Sequence, residues 1–254
     1  MRLGTALNGL LRPKGGQVMI LAYDRIASSE GPIGIAMKDS GDAIDHAEFK
    51  WQMEQVDRRF APIALSRLMG HLAGKRPLSG PQVCVSFHSD SRSSCLAVKP
   101  VLQGLKIPAT WFFAFENIAS SALGSSEFLE ALDWKLVSEL CASGDDLAHR
   151  IDDAMATFDS AKRRAHLVHL RGRGELEANV RVHSCAYAGN GSGVSHRPLL
   201  YDAALAGFNL GVSEEAGVSA LRPICPMMLR RSAVSRDTTR SQFEALLNDL
   251  GPGQ

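Results

Sequence analysis

No run in this chain approaches the ~18 consecutive apolar residues that a membrane-spanning helix needs, so the sequence reads as a protein without a membrane span. A secretory leader is not expected either. Asn8, Arg12 and Lys14 interrupt the first leucines before an apolar signal core can form, and the expected location is the cytoplasm. Charge of one sign is absent. Lys and Arg number 28 against 27 Asp and Glu, a formal net charge of +1, so no basic field points to nucleic acid. The five cysteines are an odd number and form no CxxC pair. In a chain of 254 residues that argues against a disulfide framework and for buried free thiols in a reducing compartment. No internal repeat, low-complexity tail or boundary marker interrupts the chain, which reads as a single domain over 1–254.

What is present is apolar material, 45% of all residues, enough for the core of one α/β domain. It is arranged in alternating short apolar runs and amphipathic segments. Strands are predicted at 18–23, 62–65, 83–87, 108–115, 180–187 and 209–213. Helices are predicted at 46–60, 65–72, 97–105, 127–143, 152–169, 198–206 and 240–250. Phe49, Met53, Val56 and Phe60 mark the buried face of the first of these, and Gly144 and Gly207 stand where helices end. Residues 28–45 and the Gly-rich run 189–193 read as loops, the latter without a P-loop or dinucleotide pattern. Strand–helix alternation predicts a parallel α/β sheet, barrel-like or doubly wound. The segments 83–87 and 108–115 should be adjacent parallel strands joined by the 97–105 helix.

The segments, in order, resemble the polysaccharide deacetylase family. VMILAYDRI at 18–26 is similar to the family's early strand. PVLQGLKIPATWFF at 100–113 is similar to its Pro-Val-Leu…Gly-Ile-Pro-Ala-Thr-Phe-Phe stretch. GFNLGVSEEAG at 207–217 and SRDTTRSQFEALL at 235–247 are similar to its closing segments. The resemblance spans most of the chain and implies an α/β fold, a single deformed (β/α) barrel of about seven strands. It also implies hydrolysis of N- or O-acetyl groups on a saccharide, as in polysaccharide or chitooligosaccharide deacetylases, and a carbohydrate ligand. The alternative is a catalytically inactive barrel that binds a glycan or a protein.

In that family a Thr-Phe-Asp-Asp-Gly stretch supplies a base and a metal-binding carboxylate. A His-x-x-x-His stretch supplies two imidazoles for a divalent metal such as zinc, which polarises the acetyl carbonyl and activates water. Here the first stretch reads Ser86-Phe87-His88-Ser89-Asp90. The resemblance puts His88 at the base position and Ser89 at that of the metal-binding carboxylate, and a neutral hydroxyl is a weak zinc ligand. At the second stretch an ungapped alignment from Gly144 puts Arg150 and Ala154 at the imidazole positions, and Arg cannot ligate a metal. A one-residue deletion brings in His149 with Asp153 four residues on, a pair chemically able to ligate. The candidates are therefore His88 as acid–base group, Asp90 as its partner or a ligand, and His149 with Asp153 as a remodelled metal site. No tightly bound metal is expected, and zinc or another divalent ion enters only through that remodelled site. Asp24 is expected to face the same cleft, His183 to be an ordinary strand-end residue, and Trp111 to pack on its strand.

Overall fold

Strand–helix alternation organises the chain, as its apolar periodicity requires. The computed structural model describes residues 16–27, 42–76, 78, 80–88, 91–119, 131–187, 197–221 and 225–251. The strands are β1 (Gln17–Tyr23), β2 (Gln82–Phe87), β3 (Ala109–Phe113), β4 (Asp146–Ile151), β5 (Ser184–Tyr187), β6 (Leu210–Val212), β7 (Ser219–Ala220) and β8 (Arg231–Val234). The helices are α1 (His46–Arg59), α2 (Arg67–Leu72), α3 (Arg92–Leu105), α4 (Trp134–Ala142), α5 (Ser160–Ala178), α6 (Arg197–Leu205) and α7 (Arg240–Asp249).

The strands β1 to β6 pair in chain order, each parallel to the next. The expected adjacency of β2 and β3 is among these pairs, with Ser86 opposite Thr110 and α3 between them in sequence. β8 lies parallel to the free side of β1, with Tyr23 opposite Val234. The residues just before β8 reach the other end of the sheet. The Gly211 N–H donates to the Pro226 carbonyl at 2.9 Å, and the Leu229 N–H donates to the Gly211 carbonyl at 2.9 Å. One continuous segment thus bonds to β6 and then to β1, which curls the sheet toward closure. Six strands plus this segment make the deformed barrel. β7 is a short antiparallel addition at the start of β1.

Two apolar layers follow from the period-2 alternation of side chains along a strand. Met19, Leu21, Val83, Val85, Trp111 and Phe113 point outward and join the helices in one large core. Val18, Ile20, Cys84, Phe112, Ala148 and Leu210 point inward and form a second cluster that fills the lumen. The short helix α2 plugs the amino end of the barrel. Its Leu68, and Leu65 just before it, belong to the inner cluster, the Leu65 N–H donates to Thr110 Oγ1 at 3.3 Å, and Ser66 donates from its N–H and Oγ to Asp146 at 2.7 and 2.9 Å. Among the described residues the carboxyl end holds a cleft. Four cysteines, Cys84, Cys95, Cys141 and Cys185, are buried free thiols.

Several boundaries depart from the sequence reading. Residues 62–65 form no strand; the Ile63 N–H bonds to the Val83 carbonyl and the chain turns into α2. The helix α3 starts at Arg92 rather than 97, with Ser91 Oγ accepting from the Ser94 N–H. The helix expected from 152 to 169 is a 3-10 turn, Asp153–Thr157, followed by α5, because Asp159 caps a new helix by accepting from the Lys162 N–H at 2.8 Å. α4 begins at Trp134, where Asp133 caps it through the Leu136 N–H; residues 127–130 of the expected helix and the loop 189–193 lie outside the described residues. Lys106 and Asn179 end α3 and α5 in the left-handed region, at φ of 55° and 53°.

Barrel closure leaves no room at Gly211. A Cβ there would lie 2.5 Å from Tyr187 Oη and 2.7 Å from the Met227 carbonyl oxygen. The second neighbour is backbone of the closing segment and cannot swing aside. Gly211→Ala is expected to lose about 1–3 kcal/mol, the range for overpacking, measured by urea denaturation. A loss below ~0.5 kcal/mol, the scale of an ordinary surface substitution, would mean that β6 and the closing segment separate freely.

Candidate functional site

The inward-facing parity of each strand, carried one step past its carboxyl end, brings a set of polar residues together. Asp24 follows β1, His88 follows β2, Arg150 belongs to β4, Glu214 follows β6, and Arg231 opens β8; all line one cleft of about 660 Å³ with Ala22 and Ala233. This is the end at which barrel folds build their sites. The parallel ladder continues far enough to hold His88 in place, since its N–H donates to the Tyr23 carbonyl at 2.8 Å.

The floor is basic. Arg150 Nη1 donates to the His88 carbonyl oxygen at 3.0 Å, which locks the guanidinium against the end of β2. The Arg231 side chain is only 5% exposed, and its Nη2 lies 3.9 Å from Glu214 Oε1. Its Nη1 has no hydrogen-bond partner among the described residues. Its guanidinium sits 5.8 Å from the centre of the Phe112 ring, and the His88 ring sits 5.7 Å from the same ring. One guanidinium and an imidazole thus meet over one buried aromatic, with the Arg150 guanidinium bonded to the His88 backbone beside them. Burial lowers the Arg231 pKa to about 10, with Glu214 opposing and Arg150 adding to the effect. It remains charged at neutral pH.

His88 is neutral. Burial, then Arg231, then Arg150 hold its pKa down to about 2, and its Nε2 is buried without a hydrogen-bond partner among the described residues. A catalytic base works best with a pKa near the operating pH. An imidazole this reluctant to take a proton is a weak base and a competent hydrogen-bonding group.

Of the four residues singled out in the sequence, His88 and His149 do not come together. His88 is in the cleft. His149 is one residue out of phase, so its side chain leaves β4 on the opposite face, fully buried in the outer core. It packs against Phe115 at 4.7 Å and Phe208 at 6.2 Å between ring centres. The residue of this pair that reaches the cleft is Arg150, in agreement with the ungapped alignment. Asp90 and the side chain of Asp153 lie outside the described residues. Asp24 lines the cleft as expected. His183 lies at the amino end, where its Nδ1 shares a hydrogen bond with Asn209 Oδ1 at 3.2 Å. Trp111 stacks on Phe87 and donates from Nε1 to Asp145 Oδ2 at 2.8 Å.

Arg231 and Glu214 were not foreseen as site residues. The signal for Arg231 was faint. Leu229, Arg231 and Ala233 alternate on one face of a strand too short to stand out from its neighbours.

A divalent metal does not fit this floor. Among the described residues no group of three or more His, Cys, Asp and Glu is placed to hold one. The charges of Arg231 and Arg150 both act on His88, and they repel a cation. The same arrangement favours an anion.

Comparison with known proteins yields matches only in structure. No family model matches the chain, and no curated protein matches it. Solved structures do. The Streptococcus pyogenes deacetylase PplD, determined in complex with acetate, superimposes with a TM-score of 0.73 over 94% of this chain and 100% of its own, at 16% identity. The de-N-acetylase from Aggregatibacter actinomycetemcomitans gives 0.69 over 91% and 99%, at 12% identity. IcaB from Ammonifex degensii gives 0.64 over 93% and 97%, at 21% identity. The expected barrel is therefore the observed one, and this chain has the fold of the polysaccharide deacetylases.

Proposed function

We propose that this protein is a carbohydrate-binding barrel without the metal-dependent acetyl hydrolysis that the resemblance to polysaccharide deacetylases implies. The observation that carries this reading is Arg150. The resemblance puts an imidazole ligand at its position, and its guanidinium lies in the cleft, bonded to the His88 carbonyl at 3.0 Å. A fixed cation there disfavours a metal and favours a polar or anionic ligand. The fold supports the carbohydrate part of the reading, because the neighbours are deacetylases of this architecture. The cleft supports the binding part, being about 660 Å³ and lined mainly by polar side chains at the open end of the barrel. His88 then serves as a neutral hydrogen-bonding partner for the ligand rather than as a base.

The test is acetyl release from a panel of N- and O-acetylated saccharides, with zinc, cobalt or manganese added. No metal-stimulated release is expected, while oligosaccharides bind and raise the melting temperature. Metal-stimulated turnover that His88→Ala reduces would overturn the reading and restore a hydrolase with His88 as its acid–base group.

A further inference from the structure

We propose that the outer face of α5 and α6 is a dimer interface, occupied by a second copy of this chain with the two α5 helices antiparallel. No residue of that face lines the cleft.

The first observation is exposed apolar surface. Among the described residues six large apolar side chains are exposed, and four of them, Val168, Leu176, Tyr201 and Leu205, lie on these two helices. Leu176 is the most open of the six, at 81%. The helices are neighbours, tied together by Arg163 and Arg164 on Asp202, so their exposed sides form one outer face. Single apolar residues at a surface are ordinary, whereas a group on adjacent helices marks a contact site.

The second is Gly172. The outer side of α5 runs Ala161, Ala165, Val168, Gly172 and Leu176, one residue per turn and all exposed. A Cβ added at Gly172 would meet nothing within 4 Å. Glycine weakens a helix interior, and among the described residues nothing requires it there. Gly174 is different, since a Cβ at that position would strike the Phe115 ring. Gly172 and the alanines let a second helix approach closely.

The third is charge, which selects the occupant. α5 has no acid in its first turn and no base in its last, the reverse of what its own dipole favours. Lys162 is exposed near its amino end and Glu177 near its carboxyl end, about four turns or ~22 Å apart on one flank of the apolar strip. Neither has an ion-pair partner among the described residues; Lys162 lies over the Phe158 ring at 4.2 Å. On the other flank Arg164 is engaged with Asp202, and Arg171 with Glu175. A two-fold axis through the middle of α5, between Val168 and Gly172, sets each Lys162 against Glu177 of the second copy. Both pairs then attract, and so do the two dipoles. A parallel pairing sets like charges together. This self-matching pattern is what an isologous two-fold interface requires. The α5 strip is ~28 Å long and ~10 Å wide, small beside the ~800 Å² per partner of a standard interface. The dimer is therefore reversible, with a dissociation constant of roughly 1–100 μM.

The experiment is sedimentation equilibrium of the whole protein across that range of concentration. Leu176→Asp, at an exposed position, should leave the fold intact and abolish the dimer. Lys162→Glu and Glu177→Lys each align a charge with the α5 dipole, so neither costs the helix stability. Each alone sets like charges opposite and should weaken the dimer roughly ten-fold. The two combined restore both pairs and should return the parent affinity. A protein monomeric throughout the range, or a dimer indifferent to Leu176→Asp, would overturn the interface. A double variant no tighter than the single ones would overturn the antiparallel arrangement. Co-sedimentation of a monomeric protein with phosphatidylglycerol vesicles, lost in Leu176→Asp, would give the face to a membrane surface instead and overturn the choice of partner.

Discussion

Asp202→Ala is expected to destabilise this protein more than any other single change considered. Asp202 is 1% exposed and pairs with Arg163 at 2.7 Å. Ser160 Oγ donates to its other oxygen at 2.6 Å. The Arg163 guanidinium also donates from Nε to the Met155 carbonyl at 2.9 Å and from Nη2 to the Phe158 carbonyl. This cluster joins α6 to the start of α5 and to the 3-10 turn before it. Removing the carboxylate takes from a buried guanidinium the counterion it has among the described residues, which costs about 3–5 kcal/mol. In a chain of this size that corresponds to roughly 10 °C in melting temperature. Asp202→Leu combined with Arg163→Met should recover most of the loss, since a buried ion pair is often replaceable by apolar residues of similar volume. A loss below ~1 kcal/mol in urea for the single variant would show that water reaches the pair.

The second large effect concerns acid. His149 has both ring nitrogens buried without hydrogen-bond partners among the described residues. Burial holds its pKa down to about 3; the nearby Phe113 backbone pulls the other way, while His166 from α5 and Arg150 on the same strand push it further down. The folded protein therefore binds fewer protons than the unfolded chain, in which a histidine titrates near 6.5. The stability this group contributes is present above about pH 6.5 and is lost as pH falls toward 3, at up to ~1.4 kcal/mol per pH unit. His88, lowered to about 2, adds a loss of the same sign. Asp145, Asp146 and Glu116 have pKa values raised by burial and oppose the trend. The histidine's share is therefore read as the difference in slope between parent and variant. His149→Phe should flatten it by about one proton's worth of slope, and raise stability at pH 7.5 by ~1–3 kcal/mol, because it removes two unsatisfied polar atoms from an aromatic site. Urea melts at pH 7.5, 6.5 and 5.5 measure both quantities. A variant as acid-sensitive as the parent, or less stable at pH 7.5, would sink the argument.

These two residues also show where the sequence stops being readable. His149 and Arg150 are neighbours with interchangeable-looking credentials, and the question of which one faces the cleft is a question of strand phase. A one-residue slip sends every side chain to the opposite face. The register of β4 is set by its bonds to β3 and β5, with Phe113 opposite His149 and Arg150 opposite Ala186. None of that pairing is local. The Arg163–Asp202 pair, 39 residues apart, was invisible for the same reason. Arg231 reaches the cleft only because a four-residue strand closes the barrel against β1.

What the sequence determined by itself was the class and order of the elements. The apolar runs that became β1, β2 and β3 are buried on both faces, so their hydrophobicity is continuous and stands out unaided. The helices α1 and α7 carry apolar faces at helical spacing and their own caps, Asp45 and Thr239. The start of α3 was misplaced because the Ser-rich residues before it read as a loop and Pro100 suits a first turn. In the structure Pro100 sits inside the helix, one backbone hydrogen bond short. Tertiary structure alone decided the closure of the barrel, the plug at its amino end, and the convergence of His88, Arg150 and Arg231 at the other. The physical reason is one of range. Propensity and capping act within a few residues, whereas strand register, burial and the charge of a cleft are properties of segments that meet only after the chain has folded.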